Sequence, residues 1–225
     1  MFFIDPLWLI IAAPGLILAM IASYITKSTF HKYAEYSASS GMTGAQAARR
    51  LLDQRGMSDV RIEPVQGFLS DHYDPRSRTL RLSPNVYSSN SLSAIGVACH
   101  EAGHAIQHAE NFAPLALRSA LVPITSFSTN AAYFIFIAGM FAESAGLMHL
   151  GIILFSFVVL FSLVTLPVEW DASARAKRLM VSAGIVSSRE QEHASKVLNA
   201  AFLTYVAALL TALLQLLYFI LRARR

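Results

Sequence analysis

His100, Glu101 and His104 stand in the order H-E-x-x-H, inside a stretch from roughly Ser91 to Glu110 that reads as one amphipathic helix. Positions i and i+4 of a helix lie one turn apart on the same face, so both imidazoles reach one tetrahedral Zn²⁺ while the glutamate between them stands beside the open coordination position. Two ligands and a base are the parts of a zinc hydrolase. Cys99 precedes His100 and points about 100° away from it, as a small core residue would. It is the one cysteine of the chain, which excludes an intramolecular disulfide. His108 continues the face of residues 100 and 104, but a further turn rises about 5.4 Å, so it is read as a helix-end residue. His31, His149 and His193 have no partners at metal spacing.

A catalytic zinc keeps three protein ligands and a water. A metzincin would have glycine at position 107 and histidine at position 110; Gln107 and Glu110 stand there instead, and that class is excluded. A carboxylate from a second helix remains, and Glu169 and Asp171 follow the third apolar stretch. Two positions apart, they diverge by about 200°. One can ligate while the other orients a histidine or pairs with Arg175. The longer arm makes Glu169 the expected ligand and Asp171 the alternative. His72 and Tyr73 are candidate donors to a developing oxyanion, and Thr79 to Leu82 is a candidate edge strand for pairing with an extended peptide.

These residues must be positioned by a chain that is 55% apolar and 14% charged, with mean hydropathy +0.48. Soluble domains carry about a quarter charged residues, so the composition is that of a membrane protein. Four stretches qualify as spans: Leu7 to Ile25, Ser119 to Ala142, Leu147 to Leu166 and Ala200 to Leu221. The first lacks a basic flank and a cleavage site and reads as a retained anchor. The polar half of the second, Pro123 to Asn130, is expected to face protein. Between spans lie two polar segments, Thr26 to Arg118 and Pro167 to Asn199. Two crossings separate them, so both lie on one side of the membrane. They hold every Lys and Arg except the C-terminal Arg222, Arg224 and Arg225, which points to the cytoplasmic face. A net charge of +4 without basic and aromatic clustering gives no support to nucleic-acid binding.

The segments divide into a transmembrane anchor (1–26), an α+β part with a short sheet and the H-E-x-x-H helix (27–118), a transmembrane hairpin (119–166), a polar helical part with the third ligand (167–199) and a C-terminal span with a basic tail (200–225). The expected fold is therefore a mainly α membrane protein, about four transmembrane helices with a small zincin-like α+β part. Thr43 caps a helix to Arg55, with Gly56 as its stop. Val60 to Val65, Gly67 to Tyr73 and Thr79 to Leu82 read as strands, the last following an Asp74-Pro75-Arg76-Ser77 turn. Pro167 begins a helix to about Met180, and Ser188 with Gln191 forms a capping box for a helix entering span four.

The chain resembles the bacterial membrane-embedded neutral zinc metallopeptidases, the YugP-like family, and more distantly the HtpX-type gluzincins. The resemblance rests on Ser40-Gly41-Met42-Thr43-Gly44, Leu69-Ser70-Asp71-His72-Tyr73-Asp74-Pro75, His100 to Gln107, Pro167-Val168-Glu169-Trp170-Asp171-Ala172-Ser173 and Leu198 to Ala208, nearly the whole length. It implies an integral protein of the bacterial cell membrane, a zinc-dependent endopeptidase with one Zn²⁺ per chain and a peptide or protein as substrate, membrane proteins included. In HtpX-type relatives an aspartate follows the ligand glutamate by four residues; Ser173 holds that position here. The expected mechanism is a zinc-activated water whose proton Glu101 takes and returns to the leaving amine. The alternatives are a non-catalytic zinc-binding membrane adaptor, which leaves Glu101 unexplained, and a metal transporter, which conflicts with spans almost free of ionisable groups.

Overall fold

The computed structural model describes residues 5–224. The elements in chain order are α1 (Pro6–Ile11), α2 (Ala13–Ala34), α3 (Gly44–Asp53), β1 (Arg61–Pro64), β2 (His72–Asp74), β3 (Thr79–Leu82), α4 (Pro84–Tyr87), α5 (Leu92–Ala109), α6 (Ala113–Phe141), α7 (Ala145–Ser182) and α8 (Ser188–Ala223). Four helical runs are long and apolar enough to cross a membrane: Pro6–Ala34, α6, α7 and α8. This is a mainly α membrane protein with one small sheet. The chain forms two compact units, one from the chain up to Ser23, Ala113–Pro167 and the chain from Leu203, the other from Tyr24–Phe112 and Val168–Phe202.

The first unit is built from the spans. Phe136 and Phe219 stack with centroids 4.0 Å apart, and Ala132, Phe155 and Tyr218 complete the centre. Large apolar residues face outward as well, Ile10, Phe134 and Phe141 among them. A surface of that kind is compatible with lipid as its solvent. The polar half of α6 splits. Thr125 and Ser128 turn inward on the stripe of Leu121, Ala132 and Phe136, whereas Pro123, Ser126, Thr129 and Asn130 stay exposed. Thr129 satisfies its hydroxyl on the Thr125 carbonyl of its own helix, 2.8 Å away, so it needs no neighbour.

The second unit has a sheet of order β1-β3-β2, with β1 parallel and β2 antiparallel to β3. Thr79 to Leu82 is thus the central strand and not an edge: Leu80 and Leu82 are fully buried, and both of its sides are already paired. The strand expected over Gly67 to Tyr73 shrinks to His72–Asp74, because Gly67 and Leu69 take positive φ (115° and 53°) and break the extended run. Leu51, Leu52, Ile95, Ile106, Met180 and Ile185 fill the core between this sheet and the helices.

Two helix boundaries differ from those read in the sequence. α7 does not begin at Pro167; it runs through it from Ala145 to Ser182. A proline removes one helical N–H, but unwinding in an apolar segment would expose several backbone groups, which costs more. The capping box of α8 lies one residue earlier than expected. Ser187 Oγ accepts from Glu190 N (3.3 Å), and the Glu190 carboxylate accepts from Ser187 N (2.8 Å). The carboxylate gains by this register, since it also accepts from Ser39 N and Oγ.

Thr43 forms its box with Gln46, each side chain accepting from the other's backbone N–H. Thr43→Ala is expected to lower stability by about 1 kcal/mol, read as a lower thermal midpoint of the protein in detergent.

Candidate metal centre

α5 is delimited at both ends by its own side chains and turns. Ser91 caps it by accepting from Ala94 N (3.2 Å). At the other end Asn111 adopts φ 55°, Asn111 N donates to His108 O and Phe112 N to Gln107 O, a Schellman closure. Between these ends the helix is buried almost all round, and it packs on α7 through glycine. A Cβ built on Gly103 would lie 2.8 Å from the Ala172 carbonyl oxygen, closer than a side chain tolerates. Gly103 is one of the two unspecified positions of H-E-x-x-H, and it is what lets the backbone of α7 come so near.

That approach brings His100, His104 and Glu169 together, with ligand atoms all within 4.8 Å of one another. Glu169 Oε2 is 3.1 Å from His100 Nε2 and 3.5 Å from His104 Nε2. Four ligands at about 2.1 Å from a tetrahedral zinc stand about 3.4 Å from each other, so these separations are those of a zinc polyhedron. Two imidazoles and one carboxylate are also a catalytic donor set, three ligands with a fourth position open. The residues present fit zinc. Glu169 is 1% exposed and His104 9%. Burial opposes a charged His104, but the hydrogen bond and charge of Glu169, then the charge of Glu101, outweigh it and hold its pKa above the ordinary histidine value. A field that attracts a proton in this way attracts a metal cation.

Glu101, adjacent to His100 on α5, is buried at 8% exposure. Asp171 turns away from the three ligand atoms: its Oδ2 accepts from Gln107 Nε2 (2.8 Å) and from Arg175 Nε (2.5 Å). His72 and Tyr73 are engaged elsewhere. His72 is exposed, its Nδ1 2.8 Å from the Ser70 carbonyl, and Tyr73 Oη lies 3.0 Å from His108 Nδ1. His31 stacks on Phe68, and His193 on Tyr33. A cavity of about 1220 Å³ opens beside α3 and β1, and none of the three ligands lines it.

Sequence reasoning missed the residues behind the histidines. Ser173 Oγ is 3.1 Å from His100 Nδ1, and Gln107 Oε1 is 3.0 Å from His104 Nδ1. Ser173 stands one turn after Glu169 and Gln107 three residues after His104, so helical spacing alone carried a signal for both.

Gly103→Ala is expected to cost about 1–3 kcal/mol by overpacking and to weaken zinc binding. Gly96→Ala in the same helix would meet Ala194 at an ordinary 3.5 Å and gain up to about 1 kcal/mol of helix propensity. Thermal midpoints in detergent compare the two; equal shifts would overturn the close-contact account.

No solved structure matches the chain. The "Putative membrane protease YugP" of Bacillus subtilis (strain 168) is 50% identical to it over 214 residues, which cover 95% of this chain and 94% of that protein. A family model described as "Putative neutral zinc metallopeptidase" matches residues 8–224, and with a zinc-type donor set held by H-E-x-x-H and Glu169, the chain belongs to that family.

Proposed function

We propose that the protein is a membrane-embedded, zinc-dependent endopeptidase of gluzincin type, with one zinc per chain held by His100, His104 and Glu169. The observation that carries this reading is the spacing of those three ligand atoms, which suits a tetrahedral site with one position open to water or substrate. Zinc bound there supplies a Lewis acid and brings the pKa of water towards about 7. Glu101 receives the proton of the attacking water and delivers it to the leaving amine as the peptide bond breaks. Burial alone would raise the pKa of Glu169, but its contacts with His100 and His104 outweigh this and hold it below the ordinary carboxylate value, so the ligand stays ionised.

The substrate is a peptide or protein, membrane proteins included. With β3 paired on both sides, β1 and β2 are the edges open to an extended peptide, and β2 is the one whose Tyr73 touches His108 at the end of α5. The site faces the cytoplasm of a bacterial cell, on the strength of the Lys and Arg distribution.

Glu101→Gln is expected to keep its zinc and lose about 10²–10⁴-fold in cleavage of an unfolded protein. Glu169→Ala loses the zinc itself. Metal analysis of detergent-purified protein alongside the cleavage assay reads both; equal cleavage by parent and Glu101→Gln would overturn the assignment of Glu101, and retained zinc in Glu169→Ala that of the ligand.

For orientation, a cysteine placed in the turn at 143–146 should be labelled from outside the cell. The one native thiol does not interfere: Cys99 is buried, which pushes its pKa up to about 12. Labelling only from the cytoplasm would reverse the orientation.

A further inference from the structure

Gln107 is completely buried, and each polar atom of its amide has a partner. Oε1 faces His104 Nδ1 at 3.0 Å, and Nε2 donates to the Val168 carbonyl and to Asp171 Oδ2, both at 2.8 Å. The amide has only one workable orientation. Turned over, it would set its oxygen against a carbonyl and a carboxylate, neither of which can donate. With Oε1 fixed towards the imidazole, the proton of a neutral His104 must sit on Nδ1, and the lone pair falls on Nε2. Nε2 is the atom that faces Glu169.

Asp171 is in turn held in place. Arg175 Nε donates to the same Oδ2, and the other end of the guanidinium pairs with Glu110, the residue that ends α5. The chain of contacts therefore runs from His104 through Gln107, Asp171 and Arg175 back to the helix that carries His104. His100 has no such arrangement. Its Nδ1 meets the Ser173 hydroxyl, which can donate or accept and so selects no tautomer.

We infer that Gln107 is a positioning residue: its amide, oriented by Asp171 and Arg175, commits His104 to the tautomer whose Nε2 can bind the metal. The inference rests on the zinc-site reading above. A merely structural Gln107 would tie α5 to α7 without regard to the direction of its hydrogen bonds, whereas this role depends on that direction.

The test uses the full chain in detergent, stripped with a chelator, with zinc affinity measured by competition against a chromogenic chelator. Gln107→Leu, of similar size, is expected to bind zinc about 10- to 100-fold more weakly than the parent. Its cobalt derivative should show shifted visible bands, which a change in folding stability alone would not produce. Gln107→Glu also weakens binding, because two carboxylates then face each other. Adding Asp171→Asn to it lets the new amide donate to the carboxylate at position 107 through its NH2 and accept from Arg175 through its oxygen, while that carboxylate still accepts from His104. The double variant is therefore expected to recover about tenfold or more over Gln107→Glu.

Zinc affinity and cobalt bands of Gln107→Leu equal to the parent's, or a double variant no better than Gln107→Glu, would overturn the inference. If Gln107→Leu fails to fold, the comparison of Gln107→Glu with the double decides. A parent that binds no zinc overturns the zinc-site reading and this inference with it.

Discussion

The contact between Gly103 and Ala172 is the constraint on which the rest of the site depends. Imidazole and carboxylate side chains have fixed reach, so the distance between α5 and α7 decides whether His100, His104 and Glu169 converge on one point or miss it. A methyl group at position 103 would press on the Ala172 carbonyl and force α5 and α7 to shift, and any such shift falls on the ligand spacing. Ala102, Ala105, Ala172 and Ala176, all fully buried, make α5 and α7 a pair with small residues on both sides. Small side chains permit close backbone approach; the polar groups then act over the short distances this creates.

Burial does the remaining work. Apolar surroundings leave each polar atom dependent on the partner it has been given, because an unmet donor or acceptor there costs about 1–3 kcal/mol. That is why Gln107, completely buried, can hold a histidine more firmly than the same residue would at a surface. Charge at the site follows the same logic. Two carboxylates, Glu169 and Glu101, act on His104 in a medium that screens them poorly.

The two histidines, the glutamate between them and the membrane character of the chain were legible in the sequence, since each is a matter of residue type and regular spacing. Glu169 and Asp171 could be distinguished only by arm length, as both follow the same span; the structure separates them by what they face. The errors fall where neighbours decide the outcome. A prolyl residue inside an apolar helix does not end it, a three-residue strand has no periodicity to reveal it, and the central position of β3 depends on partners distant in sequence. Spacing puts Gln107 on the helix face of His104, but the direction of its amide is set by Val168 and Asp171 on another helix and is not legible in the sequence.

Gln107 is committed twice. Its side chain orients His104, and its backbone carbonyl accepts from Phe112 N to close the end of α5. Terminal turns of helices open far more readily than whole proteins unfold. When the last turn of α5 opens, the amide moves with the backbone and the imidazole loses its orientation in the same event. The order of the site is thus tied to the closure of one helical turn, that of residues 107–112.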